Sequence, residues 1–411
     1  MRDATQTRAE RTIERCRELA RISDVPGETT RLFLSEATLD AHALLLEWMT
    51  SAGLETRTDD MGNVRGTRRG TSANGPALLL FSHIDTVPNA GAFDGPLGVL
   101  LALTVIEELA AKPLPFDIEL IAFSEEEGVR FSFPFLSSLA VTAQLTPEHL
   151  AKQDAAGISV KQALQSFGLH PERIAETCAL PARTFAALEI HIEQGPVLEA
   201  ENMSLAVVES IVGQSRFLLT FTGHANHAGT TPMALRKDAL AAAAQWIAEV
   251  ERYALDSKQL VATVGHVEVL PGAANVVPGL VRAALDIRHP SDASRHAATA
   301  VLLTKAEAAG ELRGVRVKAE MKMQQNAVPM DHALTTQLAD AAERAGFPVN
   351  AMFSGAGHDA MILAPHVPTT MLFLRSPGGL SHHPDEAVRE QDVEAAIATV
   401  LEFVTGLRPP Q

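Results

Sequence analysis

The chain has 411 residues, 46% of them hydrophobic, which is enough material for two domains with sizeable cores. It carries 50 acidic and 34 basic residues, and this excess of negative charge argues against nucleic-acid binding, which needs clustered positive charge. The only two cysteines, Cys16 and Cys178, are far apart and form no CxxC motif, which argues against a disulfide framework. The polar N-terminus lacks an apolar signal core, and no run of 18 apolar residues occurs. We therefore expect a cytoplasmic protein with no membrane partner.

The first part of the chain shows the pattern of an α/β domain. An apolar strand is predicted over residues 77–81, a helix from 96 to about 111, and a second strand over 118–123. Such a βαβ unit predicts a mostly parallel sheet with helices on both faces. Functional residues are then expected at the carboxyl ends of the strands.

The pattern changes near residue 212 and returns after residue 325. In between, strands are predicted over 217–221, 260–269 and 280–288, with helices over 233–252 and 291–309. After it come a helix over 331–345, a strand over 370–374 and a terminal helix over 390–406. We therefore predict a discontinuous catalytic domain, residues 1–211 and 326–411, interrupted by an α+β module over 212–325.

A histidine and two aspartates follow the strand at 77–81. His83 can ligate a metal ion through one ring nitrogen, while Asp85 can hold the other nitrogen and fix the tautomer. Asp94, which precedes the next helix, is then free to act as a ligand. Taken alone, the same residues also fit a capped loop in which Asp94 is solvated.

Three consecutive glutamates follow the strand at 118–123. Glu125, Glu126 and Glu127 repel one another, so unless all three are solvated a cation is expected to gather them. One of them could ligate a metal ion while its neighbour stays free as a general base.

Two further histidines lie at other strand ends. His191 lies in an alternating strand that ends at Gly195 and Pro196, and His382 lies in a glycine-rich loop after the strand at 370–374. Each alone is a weak signal, because a lone histidine is more often structural. Four clusters at strand ends of one sheet together favour a metal site. Histidine and carboxylate ligands without cysteine favour zinc, manganese, cobalt or nickel in a dinuclear hydrolytic site.

Six segments carry a resemblance to a known family. They are HIDTVPNAGAFDG (83–95), EEGVRF (126–131), HIEQGPVLE (191–199), GHANHAGTTP (223–232), GAGHDA (355–360) and GLSH (379–382). In this order the chain resembles the hydantoinase and carbamoylase family of amidohydrolases, within the aminoacylase-like superfamily of dinuclear metallohydrolases. The resemblance implies hydrolysis of a linear C–N bond in a small ureido carboxylate, allantoate or an N-carbamoyl-L-amino acid.

The resemblance also implies roles for individual residues. It implies two divalent ions, Zn²⁺ or Mn²⁺ with Co²⁺ or Ni²⁺ possible, and Glu126 as the base that activates water, with Asp85 orienting His83. The implied metal ligands are His83 and His191 on one ion, Glu127 and His382 on the other, and Asp94 on both.

For the inserted module the resemblance implies a lid and dimerisation domain, and hence a homodimer. His227 would stabilise the oxyanion. The implied substrate-binding residues are Gln194, Asn275, Arg288, Gly357 and His224. Without the family, Arg288 would be interpreted as a surface ion pair on an ordinary strand.

Two other functions stay open from the sequence. One is a dipeptidase or N-acyl-amino-acid deacylase of the same superfamily, and the other is a catalytically silent, dimeric metal-binding protein. Residues 132–138 read SFPFLSS where family members more often have glycines, and this departure leaves the identity of the substrate open.

Overall fold

The computed structural model describes residues 6–72 and 74–409. The chain splits into two compact units, which we call the first unit (Met1–Glu209 with Met330–Gln411) and the second unit (Ser210–Pro329). The helices of the described residues are α1 (Arg8–Ala20), α2 (Glu36–Ser51), α3 (Pro96–Glu108), α4 (Leu136–Val141), α5 (Pro147–Leu150), α6 (Val160–Ser166), α7 (Ile174–Thr177), α8 (Val197–Ala200), α9 (Ala239–Leu255), α10 (Asp292–Glu311), α11 (His332–Arg344), α12 (Ala360–Leu363) and α13 (Glu390–Gly406). The strands are β1 (Glu55–Thr58), β2 (Val64–Arg68), β3 (Ala77–His83), β4 (Asp117–Phe123), β5 (Thr184–Ile192), β6 (Leu205–Ile211), β7 (Gly213–Thr222), β8 (Asn226–His227), β9 (Val261–Leu270), β10 (Val276–Val277), β11 (Leu280–His289), β12 (Arg316–Gln325), β13 (Val328–Pro329), β14 (Asn350–Ser354) and β15 (Thr369–Leu374).

The first unit is built on a sheet whose centre is parallel. Strands β4, β3, β5 and β15 lie side by side in parallel. On one side β2 pairs antiparallel with β4 and β1 pairs antiparallel with β2, and on the other side β6 pairs antiparallel with β15. Every residue of β3, β4 and β15 is buried. Because successive side chains of a strand point to opposite faces, both faces of this sheet are covered. The predicted α/β class with a largely parallel sheet is confirmed.

Helix α3 begins where the sequence changes from a tight turn to an apolar run. Gly95 has φ +83°, a left-handed conformation that glycine adopts at low cost, and Pro96 occupies the first helical position, where its fixed φ suits the helix. The helix is buried from Pro96 to Ile106 and packs against β3 and β5. It therefore fixes the position of the residues that precede it, including Asp94.

The second unit is an antiparallel sheet with two helices. The strand order is β12-β7-β11-β9, and α9 and α10 pack on the sheet through a core that includes Trp246, Phe221 and Leu302. The Trp246 indole donates a hydrogen bond to the Leu302 carbonyl at 3.0 Å, so its polar atom is satisfied inside this core.

One predicted helix boundary was wrong. Residues 233–252 were predicted as a single helix, but Met233–Leu235 form a separate 3-10 turn and α9 starts at Ala239. The Asp238 carboxylate accepts hydrogen bonds from the backbone N–H groups of Leu240 and Ala241, so it caps the helix at that point. The strand predicted over 217–221 starts four residues earlier, at Gly213, and the other predicted strands and helices agree to within three residues at each end. Over the described residues, no helix is both long and apolar enough to cross a membrane.

Candidate metal centre

The predicted ligands of the first unit follow neighbouring strands. His83 is the last residue of β3, Glu127 follows β4 by four residues, His191 is the penultimate residue of β5, and His382 lies in the segment after β15. Since these four strands are parallel, their carboxyl ends lie at one edge of the sheet, and the side chains that follow them meet there.

A first group consists of His83, Asp94 and His191, all of them buried. The two imidazole Nε2 atoms lie 3.3 Å apart, and Asp94 Oδ1 lies 3.6 Å from Nε2 of His83 and 3.2 Å from Nε2 of His191. The three ligand atoms thus converge on one point. This arrangement suits a cation with mixed nitrogen and oxygen ligands.

A second group shares Asp94 through its other oxygen. Nε2 of His382 lies 3.4 Å from Asp94 Oδ2 and 3.6 Å from Glu127 Oε1. His382 is the most exposed member, with 47% of its side chain accessible, whereas the neighbouring His383 turns to accept a hydrogen bond from the Asp385 N–H. Asp94 therefore belongs to two groups, one on each carboxylate oxygen.

The outer ring nitrogens of the buried histidines are oriented by oxygen atoms. Nδ1 of His83 lies 3.1 Å from the Asp85 carbonyl, and Nδ1 of His191 lies 2.9 Å from the Ile192 carbonyl. A carbonyl can only accept, so Nδ1 carries a proton in both rings, and in the neutral form of each ring Nε2 keeps a lone pair. Both inner nitrogens are thus available as ligands.

Asp85 connects the two strand ends. Its carboxylate lies 3.4 Å from Nδ1 of His83 and accepts hydrogen bonds from the backbone N–H groups of Glu126 and Glu127 at 3.0 Å. One side chain therefore positions His83 and the backbone of the glutamate pair.

The site is a buried concentration of ionisable groups. Burial raises the pKa of Glu126 well above its usual range, with Glu127 and Asp359 adding to the shift against the opposing effect of His83. Burial and Asp94 raise the pKa of Glu127 to about 8. For Asp94, burial acts to raise the pKa, but His191 and His83 outweigh it and hold the pKa well below its usual range.

The donor set fits divalent metal ions. Asp94 Oδ1 is buried among the two imidazoles and has no hydrogen-bond partner among the described residues, which is costly for a carboxylate oxygen unless a cation binds it. Burial, with a smaller contribution from neighbouring carboxylates, raises the pKa values of Glu126 and Glu127, and a bound cation would stabilise their charged forms. Histidine and carboxylate ligands without cysteine suit zinc or manganese.

The predicted substrate residues are divided between the two units. In the first unit, Gln194 has φ +57°, and its side-chain amide donates a hydrogen bond to Asp94 Oδ2 at 2.8 Å. Gly357 packs against the Phe135 ring, and a Cβ atom added there would lie 2.9 Å from that ring. His224, His227 and Asn275 lie on exposed positions of the second unit. In that unit Arg288 pairs with Asp286 on the same strand, with Nε 2.9 Å from Oδ1.

Some side chains that shape this site were not predicted from sequence. Ser381 donates a hydrogen bond to Asp94 Oδ2, and Glu386 accepts hydrogen bonds from the backbone of Phe93 and Asp94. The His358 ring packs edge-on against His191, with ring centroids 4.5 Å apart. Ser381 and His358 lie inside the motifs quoted above, and Glu386 lies four residues after His382. These positions in the sequence indicated that the three residues lie near the site, but not which atoms they contact.

Comparison with known proteins gives one consistent family. The family model described as peptidase family M20/M25/M40 matches residues 79–406. The chain is 38% identical to "Allantoate deiminase 2" of Glycine max over 96% of this chain and 89% of that protein. It is 37% identical to "N-carbamoyl-L-amino acid amidohydrolase" of Geobacillus stearothermophilus, over 97% of this chain and 99% of that protein. A solved hydantoinase/carbamoylase family amidase from Burkholderia multivorans superposes with a TM-score of 0.91 at 35% identity, covering 96% of this chain and 97% of that one.

These matches span nearly the whole chain and agree with the resemblance found in its motifs. The M20 family consists of metal-dependent hydrolases, which agrees with the donor set at the strand ends. The chain belongs to peptidase family M20/M25/M40, and within it to the hydantoinase/carbamoylase amidases.

Proposed function

We propose that this chain is a metal-dependent amidohydrolase that cleaves a linear C–N bond of allantoate or an N-carbamoyl-L-amino acid. The observation that carries the proposal is Asp94, which is shared by two histidine–carboxylate groups and lies close to the buried carboxylate of Glu126. The relatives named for allantoate and for N-carbamoyl-L-amino acids support this substrate class.

Five side chains would hold the metal ions. His83 and His191 would bind one ion, Glu127 and His382 the other, and Asp94 both. Two divalent ions, Zn²⁺ or Mn²⁺ with Co²⁺ or Ni²⁺ as alternatives, would supply the positive charge that polarises the substrate carbonyl and acidifies water.

Glu126 is proposed as the general base and then the general acid. Its carboxylate takes a proton from the attacking water while the water oxygen bonds to the carbonyl carbon of the substrate. The protonated Glu126 then gives that proton to the leaving nitrogen as the C–N bond breaks, so the carboxylate is regenerated. Asp85 holds the Glu126 N–H at 3.0 Å and so keeps the base in place.

Gln194 is well suited to meet a ureido group. Its amide nitrogen is used by Asp94, but its Oε1 atom is buried and has no hydrogen-bond partner among the described residues. A buried carbonyl oxygen without a donor favours a ligand that brings an N–H group. A ureido substrate has such groups, whereas an ester does not.

The second unit is proposed to act as a lid and dimerisation domain, so that the enzyme is a homodimer. His227 would donate a hydrogen bond to the oxyanion that forms on the carbonyl. The remaining substrate contacts are proposed for Asn275, His224 and the backbone around Gly357. Arg288 would pair with the substrate carboxylate through its planar guanidinium.

The first test is a substrate panel with metal-reconstituted protein. Release of ammonia and of amino acid is measured on allantoate, N-carbamoyl-L-amino acids, N-carbamoyl-β-alanine, N-acetyl amino acids and dipeptides. We expect turnover of a ureido acid that is abolished by chelation. Turnover of acyl substrates or dipeptides alone would assign a deacylase or dipeptidase instead, and no turnover at all would favour a silent metal-binding protein.

The second test removes the base. Glu126→Gln keeps the shape of the side chain but cannot take a proton, so kcat should fall about 10²–10⁴-fold while metal content stays unchanged. The matched control is Glu119→Gln, which changes a buried carboxylate of β4 whose partner is Arg65 at 2.8 Å. That control should lower the melting temperature and leave kcat close to the parental value. Equal activity of Glu126→Gln and the parent would contradict the assigned role.

A further inference from the structure

Glu386 is a buried carboxylate that none of the proposed steps uses. It lies in the segment between His382 and α13, and only 6% of its surface is exposed. Its Oε1 atom accepts two hydrogen bonds, from the backbone N–H of Phe93 at 2.7 Å and from that of Asp94 at 2.9 Å. This one oxygen of Glu386 thus binds two successive backbone N–H groups, and the second belongs to Asp94, the residue shared by both candidate metal groups.

The segment that Glu386 holds is confined on its other sides as well. Gly91 packs so closely that a Cβ atom there would lie 2.3 Å from the Glu386 Cβ. At the other end of the segment, a Cβ on Gly95 would lie 2.5 Å from the His83 ring. Phe93 is buried in the core with 4% exposure. The backbone around Asp94 therefore has little freedom to move while Glu386 stays in place.

Glu386 also links two ligand segments that are distant in sequence. It follows His382 by four residues, and its N–H donates to the His383 carbonyl at 3.0 Å. The same short loop thus presents His382 to Asp94 Oδ2 and anchors the Asp94 backbone. A shift of this loop would move both ligands together.

We propose that Glu386 is a positioning residue of the metal centre, which holds the Phe93–Asp94 backbone so that both Asp94 oxygens face their histidine partners. This inference rests on the proposed metal centre. Groups that orient metal ligands in this way change metal affinity by about 10–100-fold when they are lost.

The test measures metal affinity of the full chain, separately from catalysis. Metal-free protein is titrated with Zn²⁺ and with Mn²⁺ by calorimetry or against a chromophoric chelator. Glu386→Met keeps the length of the side chain but removes the acceptor, so we expect about 10–100-fold weaker binding. Glu386→Gln keeps one acceptor oxygen for both N–H groups and should restore affinity to within about tenfold of the parent.

The matched control is Asp117→Leu at the opposite end of the sheet. Asp117 is also a buried carboxylate, at the start of β4, where it accepts a hydrogen bond from the Gly70 N–H at 2.7 Å and pairs with Arg183 at 2.8 Å. Its loss should lower the melting temperature without changing metal affinity. A second variant, Gly91→Ala, adds a Cβ atom that displaces Glu386. It should weaken metal binding less than Glu386→Met does. If Glu386→Met does not fold, Gly91→Ala still tests the inference.

The outcomes separate this inference from the proposed function. If the parental protein binds neither metal, the proposed metal centre fails. If the parent binds metal and folded Glu386→Met or Gly91→Ala binds it equally well, the metal centre stands and the positioning role of Glu386 is overturned. If Asp117→Leu weakens binding as much as Glu386→Met, the effect is one of general stability and the inference also fails.

Discussion

The histidines His83 and His191 of the first unit and His224 and His227 of the second unit differ in burial. In the first unit His83 and His191 are each 1% exposed and contact a buried carboxylate, whereas in the second unit His224 and His227 lie on an exposed segment. The His227 ring accepts a hydrogen bond from the Gly229 N–H, a partner on its own loop.

Burial explains why the difference matters. A buried polar atom without a partner costs free energy, so a cation bound within the same unit would stabilise the buried cluster. An exposed histidine is satisfied by water, and its side chain can change without disturbing a core. Substitutions in the two regions should therefore separate metal binding from catalysis.

The largest effect is expected from Asp94→Ala. Because Asp94 contributes one oxygen to each group, its loss should weaken both metal sites by more than about 100-fold, beyond the effect of losing an orienting group. Activity should fall with metal content. Metal analysis after dialysis, with calorimetric titration, checks this outcome. Retention of two tightly bound ions by the folded variant would show that the ligands are elsewhere.

A smaller and different effect is expected from His227→Ala. Removing a hydrogen-bond donor to the oxyanion should lower kcat about 10²–10³-fold. Because the side chain is exposed, metal content and melting temperature should stay at parental values. Steady-state kinetics with metal analysis on the same preparation separates the two regions. Loss of metal in this variant would break the comparison, because it would tie an exposed residue to the buried centre.

Much of the first unit could be predicted because parallel strands bring sequence motifs together. His83, Glu127, His191 and His382 were each found at or after a predicted strand, and the order of the central strands gathers them at one edge. The period of the strands and the chemistry of the side chains are sufficient to predict this cluster, whatever the separation of the motifs along the chain.

The partners of Asp94 could not be predicted in the same way. The bond from its backbone to Glu386 joins residues 292 positions apart, and the bond from Gln194 spans 100 positions. Such contacts depend on loop conformations, including φ +57° at Gln194, which no periodic pattern encodes. The start of α9 was missed for a related reason, since the capping contact of Asp238 outweighed the helical pattern that begins at residue 233.

The smallest expected effect concerns pH and again depends on burial in the first unit. His42 is 4% exposed, and burial, helped by Arg31, lowers the pKa of its ring to about 4. Ser124 Oγ donates to the Gly62 carbonyl, so Nε2 of His42 donates to Ser124 Oγ at 3.0 Å, and the ring stays neutral in the fold. The unfolded chain takes up a proton near pH 6.5, but the folded chain does so only near pH 4. The stabilising contribution of the neutral ring is therefore complete above about pH 6.5 and is lost as the pH falls toward 4.

His42→Gln should remove this part of the pH dependence, because the amide can donate to Ser124 Oγ but does not titrate. At about 1.4 kcal/mol for each unit of pKa shift, the difference between parent and variant should change by up to about 3 kcal/mol between pH 7 and pH 4. Calorimetric melting of the metal-free protein at several pH values measures it, and the difference cancels the carboxylates common to both proteins. The matched control is His296→Gln, which changes an exposed histidine of the second unit and disturbs no core. Parallel stability curves for the parent and His42→Gln would mean that His42 takes up its proton equally in the folded and unfolded chain, so that burial of this ring does not control its charge.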